Sequence, residues 1–302
     1  MRITTDWHIH SRNSCDEASL VMADLVTQAS EQGIQSYGVT DHLHTPHNVQ
    51  DVVASREEYL ACRPGRGFHF GIELSVVSVW ELDELRVRQE RYTYGIREGG
   101  PPGAEPSLGA SAEALHAFGV EYVVAGVHWP LYLPPDRDAI IADYHRQNMF
   151  LATHPLVDVI AHPWWWMGYW KDADGRYTTD PWLDDFGKIP RSMHDEFAAA
   201  AVEHGKAVEI NLSATLMNQS YPESFGPQYL EYLADLAAGG VTFSIGSDCH
   251  SATYAPDFER AGAMLDSIGI AEEDLWRLPD REQYPSGEPM AGKRPATATP
   301  RP

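Results

Sequence analysis

A chain of 302 residues with 43% hydrophobic content can bury a substantial core, and barrel domains commonly reach this size. Its 22 Lys and Arg against 44 Asp and Glu give a formal net charge of -22, which disfavours a nucleic-acid polymer or an anionic membrane as a partner. Three cysteines without CxxC spacing, and no apolar run near the roughly 20 residues of a membrane span, favour a cytoplasmic protein. Bound metal ions would make a pocket locally positive, so a small anionic substrate is compatible with the acidic chain.

Apolar runs alternate with segments of helical periodicity along most of the chain, beginning with a predicted strand at residues 3–7. Later strands are predicted at residues 36–40, 68–72, 121–127, 157–161, 206–212 and 241–247. Helices are predicted near residues 20–31, 51–59, 111–118, 138–153, 192–204, 229–238 and 257–267. Residues 81–94 fit either a helix or an extended surface insertion, and the Gly- and Pro-rich residues 98–109 fit a loop.

Seven repeats of strand followed by helix or loop are typical of an α/β fold, a parallel barrel with its helices outside. We expect residues 1–284 to form this one domain. Residues 285–302 are rich in Pro and small residues, and we expect them to be a disordered tail.

Side chains that bind metal ions follow most of the predicted strands. His8 and His10 lie on one face of an extended segment, about 7 Å apart, so two imidazoles could meet one cation. The later strands end in or near Asp41, His42, Glu73, His128, His162, Glu209, Asn211, Asp248 and His250. Because barrels of this class carry their chemistry at the carboxyl ends of the strands, we expect a metal site at that rim.

Imidazole and carboxylate groups suit zinc, manganese and iron. Two such ions about 3.5–4 Å apart can share a bridging hydroxide, which is a nucleophile at neutral pH. The residue types therefore indicate hydrolytic chemistry.

Six short segments resemble the ordered motifs of the polymerase and histidinol phosphatase (PHP) superfamily and span residues 8–250. In chain order they are His8-Ile9-His10, Thr40-Asp41-His42, Gly71-Ile72-Glu73, Gly126-Val127-His128, Ala161-His162-Pro163 and Ser247-Asp248-Cys249-His250. The resemblance implies a distorted seven-stranded (β/α)7 TIM-like barrel with up to three metal ions. In its best-known members it implies hydrolysis of phosphate esters.

The resemblance also implies which residues bind two to three divalent ions of zinc, manganese or iron. By position, one ion is assigned His8, His10, Glu73 and Asp248, a second Glu73 as a bridge with His128 and His162, and a third Asp16, His42 and His250. Glu73, Asp248 and His250 are the candidate catalytic residues. Asp41 is a candidate to orient an imidazole rather than to bind an ion.

Two cations near the motifs could grip a phosphate, Arg12 in a bidentate manner and Lys171 as a point charge. Asn211 could donate a hydrogen bond to the substrate or simply cap the end of its strand. A solvated loop is the favoured position for His44 and His47, and the alternative is that they reach the substrate or donate a proton.

Four Trp and one Tyr occur within residues 164–170, directly after the fifth predicted strand. Loops at this position of a barrel shape substrate pockets, so Trp165 and Trp166 are candidates for an aromatic wall that binds an organic group of the substrate. The alternatives are packing over the barrel and an oligomer contact.

The function that these features favour is metal-dependent hydrolysis of a small-molecule phosphoester, either a phosphodiester or a phosphomonoester, by a metal-bridging hydroxide. Two features favour a diester: the sequence shows no clear cluster of cations near the motifs, and it contains the aromatic segment at residues 164–170. An alternative keeps the metals but opens a lactone or an amide. A second alternative is a metal-holding scaffold without turnover, and the sequence leaves the oligomeric state open.

Overall fold

The computed structural model describes residues 1–134, 136–165 and 185–279, and within these ranges the chain forms nine strands and eight α-helices. The strands are β1 (Thr5–Ile9), β2 (Ser36–Val39), β3 (His42–Leu43), β4 (Phe68–Ser78), β5 (Pro106–Leu108), β6 (Tyr122–Gly126), β7 (Val159–Ala161), β8 (Ala207–Asn211) and β9 (Thr242–Gly246). The helices are α1 (Met22–Gln32), α2 (Val49–Ala61), α3 (Val79–Val87), α4 (Ala112–Phe118), α5 (Arg137–Thr153), α6 (Arg191–Glu203), α7 (Phe225–Ala238) and α8 (Phe258–Ser267). None of these helices is long and apolar enough to cross a membrane.

Seven strands run parallel in the order β1-β2-β4-β6-β7-β8-β9. The first and last of them also meet, because His10 N donates to Cys249 O (3.0 Å) and Asp248 N donates to His8 O (2.8 Å). The sheet is therefore a nearly closed barrel with helices in the connections between its strands. The predicted α/β barrel of seven parallel strands is confirmed.

Strand β4 is longer than predicted, since it continues to Ser78 instead of ending at residue 72. The added residues are apolar or small apart from Glu73 and are buried throughout, which suits the interior of a sheet. The extension pairs with β3 in parallel and with β5 in antiparallel register, so part of the predicted loop at 98–109 is a strand. Glu73 consequently lies inside β4, beside His42 of β3, and not at the end of a strand.

Residues 81–94, which fitted either a helix or an insertion, begin within α3 and continue as irregular chain. Glu81 is fully buried near the start of this helix. Its Oε1 accepts hydrogen bonds from Ile96 N (2.5 Å) and Arg97 Nη2 (2.6 Å), and its Oε2 accepts one from the Tyr132 hydroxyl (3.1 Å). One buried carboxylate thus fastens the chain after α3 to the chain after β6.

The amino-terminal end of the barrel is filled by aromatic packing. Trp7 and Tyr122 lie inside it, with ring centroids 5.4 Å apart, and Trp276 packs edge-on against Trp7 at 5.1 Å. Trp276 N donates to Phe243 O at 2.6 Å, which ties the C-terminal segment to β9. The main core lies between the strands and the surrounding helices. The predicted tail at residues 285–302 lies outside the described residues.

Candidate metal centre

Nine side chains that the sequence singled out as metal ligands meet at the carboxyl-terminal rim of the barrel. They are His8, His10, Asp16, His42, Glu73, His128, His162, Asp248 and His250. All except Asp16 and His250 are at most 9% exposed. Buried groups of this polarity need partners, and here each one finds its partner among the others.

Glu73 lies at the centre of the cluster. Its Oε2 is 3.0 Å from His8 Nε2, 3.3 Å from His10 Nε2 and 3.0 Å from His42 Nδ1. Its Oε1 is 3.1 Å from both His128 Nε2 and His162 Nε2. The two carboxylate oxygens therefore face two different sets of imidazoles, which is the geometry that a bridging carboxylate requires.

Three overlapping sets have ligand atoms that all lie within 4.8 Å of one another. They are His8, His10 and Asp248, then His42, Glu73 and His128, and last His10, Asp16, His42 and His250. In the ligand assignment His10 and His42 each bind one ion, whereas in the structure each of them belongs to two of these sets. These contacts extend across the cluster without a gap.

The cluster also passes a test of fit for cations. His128 Nε2, His42 Nδ1 and Asp16 Oδ1 are buried and make no hydrogen bond. Buried polar atoms that lack a hydrogen bond are rare in proteins, and three of them within one cluster of imidazoles and carboxylates suit ligation of divalent ions. The donor set of nitrogen and oxygen atoms without thiolate is typical of zinc, manganese and iron in hydrolases.

The charges of the cluster support one another. Burial acts to raise the pKa of Glu73, but the surrounding imidazoles hold it well below its usual value. Burial likewise opposes the charged form of His42, yet the carboxylates of Glu73 and Asp16 raise its pKa to about 10. The pKa of His250, again against the effect of burial, is raised to about 9 by Asp16 and Asp248. The metal-free pocket therefore favours carboxylates paired with imidazolium groups.

Glu209 orients two of the candidate ligands. It is fully buried in β8, its Oε1 is 2.6 Å from His8 Nδ1, and its Oε2 accepts a hydrogen bond from His162 N at 2.7 Å. A carboxylate on the far nitrogen of an imidazole fixes the tautomer that binds metal through the near nitrogen. Gly246 of β9 makes room for it, because a Cβ there would clash with Glu209 Oε1.

Asn211 and Asp41 hold the frame of the site and do not contact the pocket. Asn211 is fully buried, its Nδ2 donates to Glu209 Oε2 and Asp248 Oδ2 (both 3.1 Å), and its Oδ1 accepts from Ala214 N. Asn211 was a candidate substrate residue, and the structure instead matches the strand-end alternative. Asp41 accepts from Ser11 N and Ser11 Oγ (both 2.6 Å), so it anchors the loop after His10 and makes no hydrogen bond with His42.

His44 was expected on a solvated loop, but the structure buries it beside the candidate ligands. It is 3% exposed, stacks on His42 with centroids 4.2 Å apart, and lines the pocket. Its Nδ1 lies 2.5 Å from Ser75 Oγ, which in turn lies 2.9 Å from His128 Nδ1. Burial lowers the pKa of His44 well below its usual value. His47, by contrast, bonds to backbone atoms of Leu85 and Tyr92.

Two candidate ligands sit on unusual backbone. Asp248 has φ of 54° and His162 has φ of 27°, a region that residues other than Gly rarely adopt. Such conformations persist where surrounding contacts determine them, and they concentrate at functional sites. Here the hydrogen bond from Asp248 N to His8 O and the one from His162 N to Glu209 hold the two residues in place.

The cluster forms the floor of a cavity of about 1150 Å³. Among the described residues its walls include four aromatic side chains, Tyr94, Trp129, Tyr132 and Trp165. The ring of Trp165 lies 4.7 Å from that of His162 and 5.8 Å from that of His128. Trp165 therefore lies on the wall of the cavity, next to the candidate ligands. Trp166 and Lys171 lie outside the described residues.

Of the two predicted cations only Arg12 lies among the described residues, and it is not at this pocket. Arg12 is 56% exposed, its Nε donates to Glu58 at 3.0 Å, and it does not line the cavity. Arg97 does line it, with its guanidinium carbon 3.6 Å from the centre of the Trp129 ring and Nη2 on Glu81. No local pattern marks Arg97, because its position depends on the fold of the residues between α3 and β5.

The chain is similar to known proteins over most of its length. The PHP domain family matches residues 6–163 of the chain. A protein of Thermotoga maritima named "Probable histidinol-phosphatase" is 26% identical over 252 residues, 82% of this chain and 85% of the relative. "Probable phosphatase YcdX" of Escherichia coli K12 is 22% identical over 284 residues, 91% of this chain and 90% of the relative.

A solved structure described as "putative histidinol phosphatase hisK from Listeria monocytogenes" superposes with a TM-score of 0.52 at 12% identity. It covers 82% of this chain and 96% of that one. This likeness shows the fold alone. The family match covers more than half of the sequence and includes five of the six ordered motifs, and it confirms the resemblance: the chain belongs to the PHP domain family.

Proposed function

We propose that the protein is a metal-dependent hydrolase of small-molecule phosphoesters. The observation that carries the proposal is Glu73, whose two buried oxygens each lie 3.0–3.3 Å from imidazoles at the floor of an open cavity. The relatives named as phosphatases support phosphate ester hydrolysis. Hydrolysis of lactones or amides by the same site has no such support.

The proposed cofactors are two to three divalent ions of zinc, manganese or iron. When bound, they would polarise a phosphoester oxygen and activate water for attack. Glu73 would hold two ions at a fixed separation, and His8, His10 and Asp248 would complete one of the sites. Asp248 and His250 line the cavity, with Asp248 Oδ1 3.5 Å from His250 Nδ1, so both can contact a bound ester.

The proposed substrate is small and carries an organic group. The ligand cluster lies at the bottom of a concave pocket, which suits a small molecule better than a polymer. Trp165 and Trp129 would pack against the organic group, and Arg97 offers a cation to an anionic one. An ester with an aromatic group, and a diester in preference to a monoester, is the proposed class.

Elemental analysis of the purified protein combined with a substrate panel tests the proposal. The panel contains aryl phosphate monoesters and diesters together with lactones and amides. We expect at least two ions per chain and hydrolysis of phosphoesters in added manganese or zinc. The Glu73→Gln variant should lose kcat by about a hundredfold or more, since it removes a negative bridge between ions.

A matched control is Glu196→Gln, which makes the same chemical change at a side chain 64% exposed in α6 and should retain wild-type rates. Fewer than two ions per chain together with no hydrolysis of any ester would overturn the proposed function. Turnover of lactones alone would replace the bond that is cleaved and leave the metal centre in place.

A further inference from the structure

His44, Ser75 and His128 form a hydrogen-bonded chain that runs from the metal cluster to the wall of the pocket. Ser75 is fully buried in β4, and its hydroxyl oxygen lies between His44 Nδ1 (2.5 Å) and His128 Nδ1 (2.9 Å). A hydroxyl has a single proton and two lone pairs, so it can donate to only one of these nitrogens and can accept from the other. The protonation of one imidazole therefore decides which groups donate and which accept along the whole series of hydrogen bonds.

His128 sets that direction. Its Nε2 faces Glu73 Oε1 at 3.1 Å without hydrogen-bond geometry, and this is the nitrogen available to a metal ion. An imidazole that binds metal through Nε2 carries its proton on Nδ1. His128 then donates to Ser75, and the Ser75 hydroxyl is left to donate to His44 Nδ1, because it has no other hydrogen-bond partner among the described residues. A neutral His44 is left with its proton on Nε2.

The other side of the His44 ring opens on the pocket. Nδ1 is occupied by Ser75, while Nε2 makes no hydrogen bond with any described residue, and the side chain lines the cavity. The ring is held on three sides by aromatic contacts, with centroids 4.2 Å from His42, 5.3 Å from Tyr94 and 5.5 Å from Trp129. A donor fixed in this way needs little reorganisation when a ligand arrives.

We propose that His44 is a substrate-binding residue whose Nε2–H, oriented through Ser75 by the metal ligand His128, donates a hydrogen bond to an oxygen of the phosphoester. The inference rests on the proposed function and extends it, because it adds a neutral donor beside the metal ligands. It also gives Ser75 a positioning role. Ser75 accepts a hydrogen bond from His128 and donates one to His44, which fixes the tautomer of His44, and it does not contact the substrate.

Three variants test this assignment in the metal-loaded protein. His44→Phe keeps an aromatic ring in the stack but removes both nitrogens, and His44→Gln restores an N–H donor. Ser75→Ala leaves His44 in place without its orienting partner. His116→Phe makes the same change as His44→Phe at an exposed position in α4 and is the control. The measurements are kcat/KM with an aryl phosphoester, the Kd of inorganic phosphate by calorimetry, and metal content by elemental analysis.

We expect His44→Phe to lose about 10- to 100-fold in kcat/KM and to bind phosphate more weakly, because one hydrogen bond to a charged group is lost. Its metal content should remain that of the wild type. His44→Gln should recover part of the loss, Ser75→Ala should fall between His44→Phe and the wild type, and His116→Phe should change nothing. In ¹⁵N-histidine spectra, His44 should show the proton on Nε2.

Wild-type kcat/KM and phosphate affinity in His44→Phe would overturn the inference. A loss of metal in parallel with activity would also overturn it, since His44 would then only support the cluster. A proton found on Nδ1 would reverse the direction of the chain and overturn it as well. If the wild type hydrolyses no phosphoester while phosphate binding still depends on His44, the proposed function fails, but His44 remains a hydrogen-bond donor to a bound anion.

Discussion

Replacing Glu209 by Gln tests whether a buried carboxylate outside the ligand set holds His8 and His162 in place. Glu209 Oε1 pairs with His8 Nδ1 at 2.6 Å, and Oε2 accepts from His162 N at 2.7 Å and Asn211 Nδ2 at 3.1 Å. A Gln amide turns one of the two acceptors into a donor. A buried N–H then faces another N–H, whichever way the amide lies.

A buried polar group without a partner costs about 1–3 kcal/mol, and removal of the group that orients a metal-binding imidazole lowers metal affinity about 10- to 100-fold. We therefore expect both losses in Glu209→Gln. Titration of the metal-free protein with zinc against a chelating indicator measures the affinity. Calorimetry measures stability, with a fall in Tm of about 2–4 °C per kcal/mol for a chain of this size.

The exposed Glu196→Gln variant, whose parent carboxylate is 2.9 Å from His145 Nε2, should match the wild type in both experiments. Wild-type zinc affinity in Glu209→Gln would refute the reasoning, because the position of His8 would then be independent of its closest carboxylate. A loss of stability without a loss of affinity would assign Glu209 to the barrel core alone.

Two further predictions concern stability away from the metal cluster. Trp276→Ala should lower the free energy of unfolding by about 2 kcal/mol in urea titrations while metal content is unchanged, because its ring packs on Trp7 and Tyr122. Burial lowers the pKa of His194 to about 4, below its value of about 6.5 in an unfolded chain. As the pH falls, His194 therefore takes up a proton in the unfolded state before it does so in the folded state. This difference lowers the free energy of unfolding as the pH falls from 6.5 towards 4, by at most about 1.4 kcal/mol per pH unit. His194→Phe should lose less stability than the wild type between pH 7 and pH 5, and equal losses would contradict the assignment.

The barrel was predictable because its signal is local and repeated. Each apolar run is followed by a helical pattern, and a parallel sheet is the arrangement that buries such strands on both faces. The end of β4 was missed for a related reason. Glu73 interrupts an apolar run and looks like the end of a strand, whereas the residues after it continue to Ser78 and pair with β3 and β5.

Eight of the nine candidate ligands could be collected from the sequence because each lies in a strand or shortly after one, and the parallel strands carry these eight to one rim, whereas Asp16, in the loop after β1, was assigned by the family resemblance. Residues whose role depends on contacts between distant segments could not be collected in this way. Arg97 reaches the pocket through Glu81 and Trp129, which lie in two other segments. Arg12 stood closer in sequence to the motifs, but Glu58 holds it on the outer surface.

An acidic chain can bind an anionic substrate because positive charge is concentrated at the candidate metal centre. Against the effect of burial, neighbouring imidazoles hold the pKa of Glu73 well below its usual value, and Glu73 with Asp16 raises that of His42 to about 10. A buried carboxylate cannot remain ionised without positive charge beside it, so the metal-free site must hold protons on its imidazoles. Divalent ions that bind the same nitrogens must displace those protons, and the ions then supply the positive charge that the protons supplied before. Metal loading therefore keeps positive charge at the floor of the pocket of a chain whose formal net charge is -22, and it is this local field that a phosphoester would meet.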